Sequence, residues 1–428
     1  MRSRSFWELD GEDDPLVDRI AAGIGRTPAR LLAYLLLRAE REAEPATTVH
    51  LQAGTRVNRT TISETVARLE SRELVERTAV RERDSDGGRP RTAWRPTDGV
   101  EETIENTYRS HAEALLERAD TRREPDPSGP RGRVRDVEAE SSSSVGLVLN
   151  WRPNALHVPI YAAIAAGWYG AFDVDVRIDH REGSRRALER VISGPADLAV
   201  VGAGTVVRAR AAGEPIVPVA VCYQRAMTVL YTVRDAFGEP LERIDQFEGK
   251  RIGMPPDSET RLLGRLFLSQ TGFDDDSRIV DTNGEERNAL LDGDADVVTG
   301  SFADPTRLER QGRTVDALAL TDHFPIYGPT IVARERTLED RPTALAGALA
   351  GTTGGWAEAR RDPGPAAERI AAASDDPPDR IGRTFERAAS TFGESDAVRE
   401  RGWGWHRPDM WERLRTALEQ GALLRGEA

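Results

Sequence analysis

The segment from Val145 to Ile178, VGLVLNWRPNALHVPIYAAIAAGWYGAFDVDVRI, decides the fold. Leu147 to Leu149 make a short apolar strand, Asn150 to His157 a polar and aromatic loop, and the apolar run behind them a helix. A Gly-Trp-Tyr-Gly turn follows, then a second strand with Val174, Val176 and Ile178 alternating. A strand whose C-terminal end opens into an Asn-Trp-Arg-Pro-Asn loop and a helix N-terminus is where open α/β sheets bind small ligands. The loop is read as a binding site, and the chain before it as an output device.

Bulk properties narrow the class. A length of 428 residues calls for two or three domains. The longest apolar runs, Leu31 to Leu37 and Ile160 to Ala166, fall well short of the roughly 18 residues a membrane helix needs. The start, MRSRSFWELDGEDDP, has arginines with no apolar segment behind them, so a secretory signal is not expected and a cytoplasmic protein is. Cys222 is the single cysteine, which excludes an internal disulfide and a Cys-rich metal site, and the six histidines form no HxxxH or HExxH pair. No metal and no cofactor are expected. The net charge is -13, and Lys250 is the one lysine among 59 basic residues. That surface suits solubility in high cytosolic salt, the halophilic reading, although a GC-rich genome would give the same arginine bias.

Upstream, residues 1–13 are polar and acidic and are expected to be a frayed tail. Residues 14–98 then carry helical patterns from Pro15, from Thr27-Pro28, over Leu51 to Arg56 and over Thr60 to Arg72. Strands over Val75 to Arg81 and Thr92 to Arg95 flank a tip at Asp84 to Gly88. Helices, turn, helix and Gly-tipped hairpin follow the winged helix-turn-helix order. The stretch from Val57 to Pro96 resembles the MarR-like and TrmB-like winged-helix regulators, with the run Leu69-Glu70-Ser71-Arg72-Glu73-Leu74-Val75 closing the recognition helix.

DNA contact in such a fold needs a helix end that reaches base edges and cations for phosphates. Asn58 as cap, Arg59, Thr60, Thr61 and Ser63 supply the first, and Arg77, Arg81, Arg83, Arg89 and Arg91 on the wing supply the second. Arginines on a hairpin can also be an ordinary solvated face. The local basic excess inside an acidic chain favours contact with operator DNA. Residues 99–122 read as a polar helix with a narrow apolar stripe (Ile104, Tyr108, Ala112, Leu115, Leu116), suited to a homodimer contact or to packing on its own domain. Residues 123–144, rich in Pro, Gly, Ser and charge, read as a flexible linker.

From Val145 onward βα units alternate to the end. The run LNWRPNALHVPIYAAIAAGWY is similar to the start of the substrate-binding proteins of thiamine-pyrimidine importers and the related fungal pyrimidine synthases. Gly194 to Ala199, Ala209 to Gly213, Phe247 to Pro255 and Ala289 to Asp296 follow as later landmarks in the same order. The resemblance implies a two-lobed α/β clamshell of the type II periplasmic-binding-protein kind. Lobe 1 would comprise about 145–225 and 325–428, and lobe 2 about 226–324. The fold class is thus multidomain: an α+β winged helix-turn-helix followed by that clamshell.

A planar aminopyrimidine needs an aromatic face and amide or carboxylate partners. Asn150, Trp151 and His157 match the family's motif from the first lobe, although His157 could simply cap the next helix. Gly202, Gly204 and Thr205 follow the strand Leu198 to Val201, and Tyr223 and Gln224 end the next. Ser258, Glu259 and Thr260 come from the second lobe, where Glu259 could equally serve its own helix dipole, with Asp304 and Tyr327 as further candidates.

These residues lead to a one-component transcription regulator that senses a thiamine pyrimidine precursor or a related heterocycle. An importer's binding component and a pyrimidine-synthase-like enzyme are the alternatives. The resemblance argues against catalysis. Those synthases use a pyridoxal-phosphate lysine and a cysteine-rich run, whereas this chain has Pro195 at the corresponding place and a single cysteine.

Overall fold

The computed structural model describes residues 7–42, 44–80, 90–120, 143–273, 278–323 and 325–424. The N-terminal unit runs α1 (Asp14–Ile24), α2 (Arg26–Glu42), β1 (Ala46–Thr47), α3 (Thr48–Thr55), α4 (Arg59–Ser71), β2 (Val75–Val80) and β3 (Arg91–Pro96). Its three strands form an antiparallel sheet in the order β1-β3-β2. The α2 sequence buries Leu31, Leu32, Tyr34, Leu35 and Leu36 beneath α3 and α4. Residues 7–13 depart from the expected frayed tail. Leu9 is buried, the Leu9 N–H donates to the Gly54 carbonyl at 2.9 Å, and the Trp7 ring lies 4.6 Å from Tyr34 with the Arg41 guanidinium 4.3 Å from its centre. The two apolar side chains in that acidic stretch suffice to dock it.

Next comes α5 (Val100–Asp120). The flexible-linker expectation falls on residues outside those described, except Ser143 and Ser144, which begin β4 (Ser143–Leu149). Lobe 1 continues with α6 (Val158–Ala165), α7 (Trp168–Ala171), β5 (Val174–His180), α8 (Ser184–Ile192), β6 (Leu198–Val201), α9 (Ala203–Ala211) and β7 (Ile216–Val221). Lobe 2 holds β8 (Thr228–Val233), α10 (Arg234–Phe237), β9 (Ile252–Met254), α11 (Glu259–Thr271), β10 (Ile279–Asp281), α12 (Glu286–Leu291), β11 (Val297–Ser301), α13 (Asp304–Glu309) and β12 (Val315–Ala319). The chain then returns to lobe 1 through β13 (Thr330–Arg334), α14 (Glu335–Asp340), α15 (Pro342–Arg361), α16 (Gly364–Ala371), α17 (Pro378–Phe392), α18 (Asp396–Arg401) and α19 (Pro408–Gln420).

The two lobes repeat one pattern. Lobe 1 orders its strands β5-β4-β6-β13-β7 and lobe 2 orders them β10-β9-β11-β8-β12. In each, three parallel strands meet one antiparallel strand that arrives from the other lobe, β13 in the first and β8 in the second. Fully buried strands such as β6 and β7 read as unbroken apolar runs, as strands covered on both faces do. Leu414 and Leu418 of α19 share an apolar cluster with Ala203 and Val207 of α9 and with Leu262, Leu263 and Phe267 of α11, so the C-terminal helix packs on both lobes.

The stripe on α5 is consumed inside the chain. Ile104, Tyr108, Ala112 and Leu115 are completely buried, packed on α1, α15 and β7, which is the packing alternative of the two readings of this stripe. The Tyr108 hydroxyl donates to the Arg19 carbonyl at 2.8 Å, and the ring meets Trp168 of lobe 1 edge-on at 5.3 Å. Gly402, with φ of 105°, lets the backbone after α18 press against α1, since a Cβ there would lie 2.6 Å from the Ala22 carbonyl oxygen. The Trp403 N–H then donates to that carbonyl at 2.7 Å, and the Trp403 carbonyl accepts from His111 Nε2 at 2.6 Å. The head and α5 pack on lobe 1 through α15, α18 and β7, in an apolar cluster that continues into β8 and β11 of lobe 2.

Candidate functional site in the interlobe cleft

Asn150 ends β4 at the mouth of the lobe 1 sheet, where its amide bridges two elements. Its Nδ2 donates to Ser184 Oγ at 3.4 Å, and Ser184 Oγ also accepts the Gly202 N–H at 3.0 Å. His157 is buried. Its Nδ1 accepts the Asn154 N–H at 3.3 Å, so Nε2 carries the proton and faces Asn150 Oδ1 at 3.4 Å. His157 therefore positions Asn150 and closes the loop turn. Trp151 stands 49% exposed, and the next residue, Arg152, pairs with Glu182 at 2.8 Å. Its indole face is available to a planar ligand. Ser184, a small hydroxyl directly after Gly183 at a helix start, joins these candidates through its bonds to Asn150 and Gly202.

The glycines of the next turn make room for a carboxylate. Ser258 caps α11 by accepting the Arg261 N–H at 3.0 Å, and its Oγ lies 3.0 Å from Thr260 Oγ1, so both serve the helix start. Glu259 does not serve its own helix dipole. Its carboxylate crosses from lobe 2 to the N-terminus of α9, accepting the Gly204 N–H at 2.7 Å, the Thr205 N–H at 3.0 Å and the Thr205 hydroxyl at 2.6 Å. A Cβ on Gly202 would lie 2.2 Å from Glu259 Cδ. Burial raises the Glu259 carboxyl pKa, and the Thr205 hydroxyl and the two amides oppose that rise. A second interlobe pair, Arg185 with Asp257 at 3.4 Å, lies exposed nearby.

Four candidates are not brought into the cleft. Tyr223 is wholly buried, donates its hydroxyl to the Leu156 carbonyl at 3.1 Å and meets Trp356 edge-on. Gln224 donates to the Trp405 carbonyl at 3.1 Å and accepts from Ser395 at 2.9 Å, so it ties down the C-terminal segment. Asp304 accepts the Ser301 N–H at 2.7 Å, and Tyr327 accepts the Arg407 N–H at 2.8 Å beside Trp411. The partners of Tyr223, Gln224 and Tyr327 lie far along the chain, whereas that of Asp304 is the amide three residues before it.

On the head, Asn58 Oδ1 caps α4 through the Thr61 N–H at 2.9 Å, and Arg59, Thr60 and Ser63 are exposed beside it. Arg77 is not a loose wing cation: it forms a two-pronged pair with Glu70 at 2.9 and 3.0 Å, and Trp94 Nε1 donates to the same carboxylate. Arg91 is exposed at the start of β3, whereas Arg81, Arg83 and Arg89 lie outside the described residues. At the opposite end of α4, Arg68 and Arg72 line a niche with Arg401 and Glu400 of lobe 1. Among the described residues, no group of three His, Cys, Asp or Glu side chains could hold a metal ion, and no helix is long and apolar enough to cross a membrane.

The two buried histidines have a testable consequence. Burial holds His157 down at about 3, with the His180 charge adding to it, and holds His111 down at about 4. In the unfolded chain both titrate near 6.5, so the unfolded state binds the extra protons first, and stability falls as pH drops below that value. Thermal unfolding should shift to lower temperature between about pH 7 and about pH 5.5, above the usual carboxylate range. His157→Gln should flatten that slope, and an unchanged slope would contradict the assignment.

Residues 154–366 match the family described as NMT1/THI5 like. Among curated proteins, the chain is 22% identical over 292 residues to a riboflavin-binding protein, RibY, of Chloroflexus aurantiacus, covering 65% of this chain and 81% of that one. It is 24% identical over 213 residues to a formylaminopyrimidine-binding protein of Halalkalibacterium halodurans, covering 48% and 63%. Among solved structures, the periplasmic aliphatic sulphonate binding protein SsuA of Escherichia coli superposes with a TM-score of 0.53 at 16% identity, over 66% of this chain and 94% of that one. At that identity the superposition speaks for the fold alone.

Proposed function

We propose, from the premise that residues 154–366 are an NMT1/THI5-like periplasmic-binding-protein domain, that the chain is a ligand-responsive, one-component transcription regulator. Its cleft senses a small planar heterocycle of the thiamine-pyrimidine precursor class, and its head is a winged helix-turn-helix that binds operator DNA in the cytoplasm. The ligand class is supported by the names of the two curated relatives, one a formylaminopyrimidine binder and the other a riboflavin binder. It is also supported by an exposed Trp151 beside the Asn150 amide. The observation that carries the regulatory half is the packing of the head and α5 on α15, β7 and α18 of lobe 1, joined by the Trp403 hydrogen bonds to Ala22 and His111. A head attached in this way moves with lobe 1, so a ligand that favours one lobe arrangement changes how two heads of a homodimer are presented. The dimer surface is assigned away from the apolar stripe of α5. The chain is proposed not to be an enzyme, because Pro195 stands where the synthases hold their lysine.

A thermal-shift panel of hydroxymethylpyrimidine, its phosphates, thiamine, riboflavin and an alkanesulfonate tests the ligand class. No stabilisation by any pyrimidine would remove that class. Trp151→Ala should abolish the ligand's effect on DNA retardation in a gel, and ligand-free DNA affinity should stay as it was. Loss of DNA binding in the unliganded variant would contradict separate input and output sites.

A further inference from the structure

The carboxylate of Glu259 is held as a bound anion would be. It is half-buried, it comes from the opposite lobe, and it takes three donors at the first turn of a nine-residue helix, α9. Helix N-terminal amides with a hydroxyl beside them form an oxyanion site. Here the occupant is the chain's own side chain, and the floor of the site is shaped for it, since Gly202 and Gly204 leave the space that Cβ atoms would fill. Gly202 itself has φ of -70° and ψ of 149°, a backbone any residue adopts, so side-chain room is what glycine provides there.

We infer that Glu259 is an internal latch: the lobe 2 carboxylate occupies an oxyanion site on lobe 1 and holds the two lobes together. The rim pair between Arg185 and Asp257 is exposed and contributes little by comparison. The consequence for regulation rests on the sensor reading above. An effector meets lobes that are already held together, and it shifts the equilibrium only if its contacts outweigh the three hydrogen bonds of the latch. The site's chemical class, once vacated, is a small carboxylate.

The test uses the full chain without any pyrimidine. In Glu259→Ala, the amides of Gly204 and Thr205 should exchange with solvent at least roughly tenfold faster, because charge-assisted hydrogen bonds are lost. The radius of gyration by small-angle X-ray scattering should rise. Acetate should restore both values in this variant, chloride at equal ionic strength should not, and neither salt should change the wild type. Gly202→Ala should open the clamshell in the same way by evicting an unaltered carboxylate, and acetate should fail there because the methyl group fills the space. Unchanged scattering and amide exchange in either variant would overturn the latch, as would equal effects of acetate and chloride on Glu259→Ala. Should Glu259→Ala not fold, the Gly202→Ala result decides. A failure here leaves the cleft free to bind pyrimidines, and a failed pyrimidine panel leaves the latch standing.

Discussion

Trp403→Ala is expected to cost about 3–5 kcal/mol, the usual loss on truncating a fully buried tryptophan. The Trp403 ring is 1% exposed, stacks on Trp356 with centroids 6.1 Å apart, and donates from Nε1 to the Cys222 carbonyl at 3.2 Å. Its backbone makes the two hydrogen bonds that join α1 and α5 to lobe 1. Truncation therefore empties a site where three segments meet, while the groups on Ala22 and His111 keep their partners. The measurement is denaturant unfolding followed by two probes, one on the head and one on the lobes. Wild type should show coincident transitions for head and lobe 1, and the variant should separate them with the head unfolding first. Trp151→Ala is the control: removal of an exposed indole should stay within about 0.5 kcal/mol. Coincident transitions in Trp403→Ala would mean that the head is joined to lobe 1 by something other than this residue.

Local pattern made the two lobes and the head's element order readable. Val174, Val176 and Ile178 alternate as a half-covered strand must, and Leu198 to Val201 runs apolar as a fully covered one does. The helix start at Asn58 carried a capping residue whose side chain does accept an amide of the first turn. What could not be read was partnership across distance. The apolar stripe of α5 has the same spacing whether it meets a second copy or α15, and only the tertiary structure supplies α15. Tyr223 and Gln224 sit at a strand end, where cleft residues belong, yet their partners Leu156 and Trp405 lie 67 and 181 positions away. Glu259 was read as a cleft residue or as a satisfier of its own helix. The structure gives it a third position, on the helix of the other lobe, which no spacing rule encodes.

On the proposed DNA-binding role of α4, Arg59→Ala combined with Ser63→Ala is expected to weaken operator binding by about 1–3 kcal/mol per lost contact, roughly thirtyfold or more in combination. The geometry of α4 sets this expectation. Its C-terminal end, with Arg68 and Arg72, is turned to Arg401 and Glu400 of lobe 1, which leaves the N-terminal turn as the part that can enter a groove. Asn58 fixes that turn through Thr61, so Asn58→Ala should lower both affinity and stability, the latter by about 1 kcal/mol. Arg77→Ala should act differently. Its guanidinium is committed to Glu70 on α4, so its loss should loosen the β2–β3 hairpin from α4 and weaken the proposed DNA binding less than the Arg59 and Ser63 pair does. Gel retardation at two salt concentrations separates the roles, because a lost phosphate contact reduces the salt dependence and a lost base contact relaxes sequence preference. Undiminished affinity in the Arg59 and Ser63 variant would remove α4 as the reading helix, and with it the proposal that cleft closure is reported to DNA.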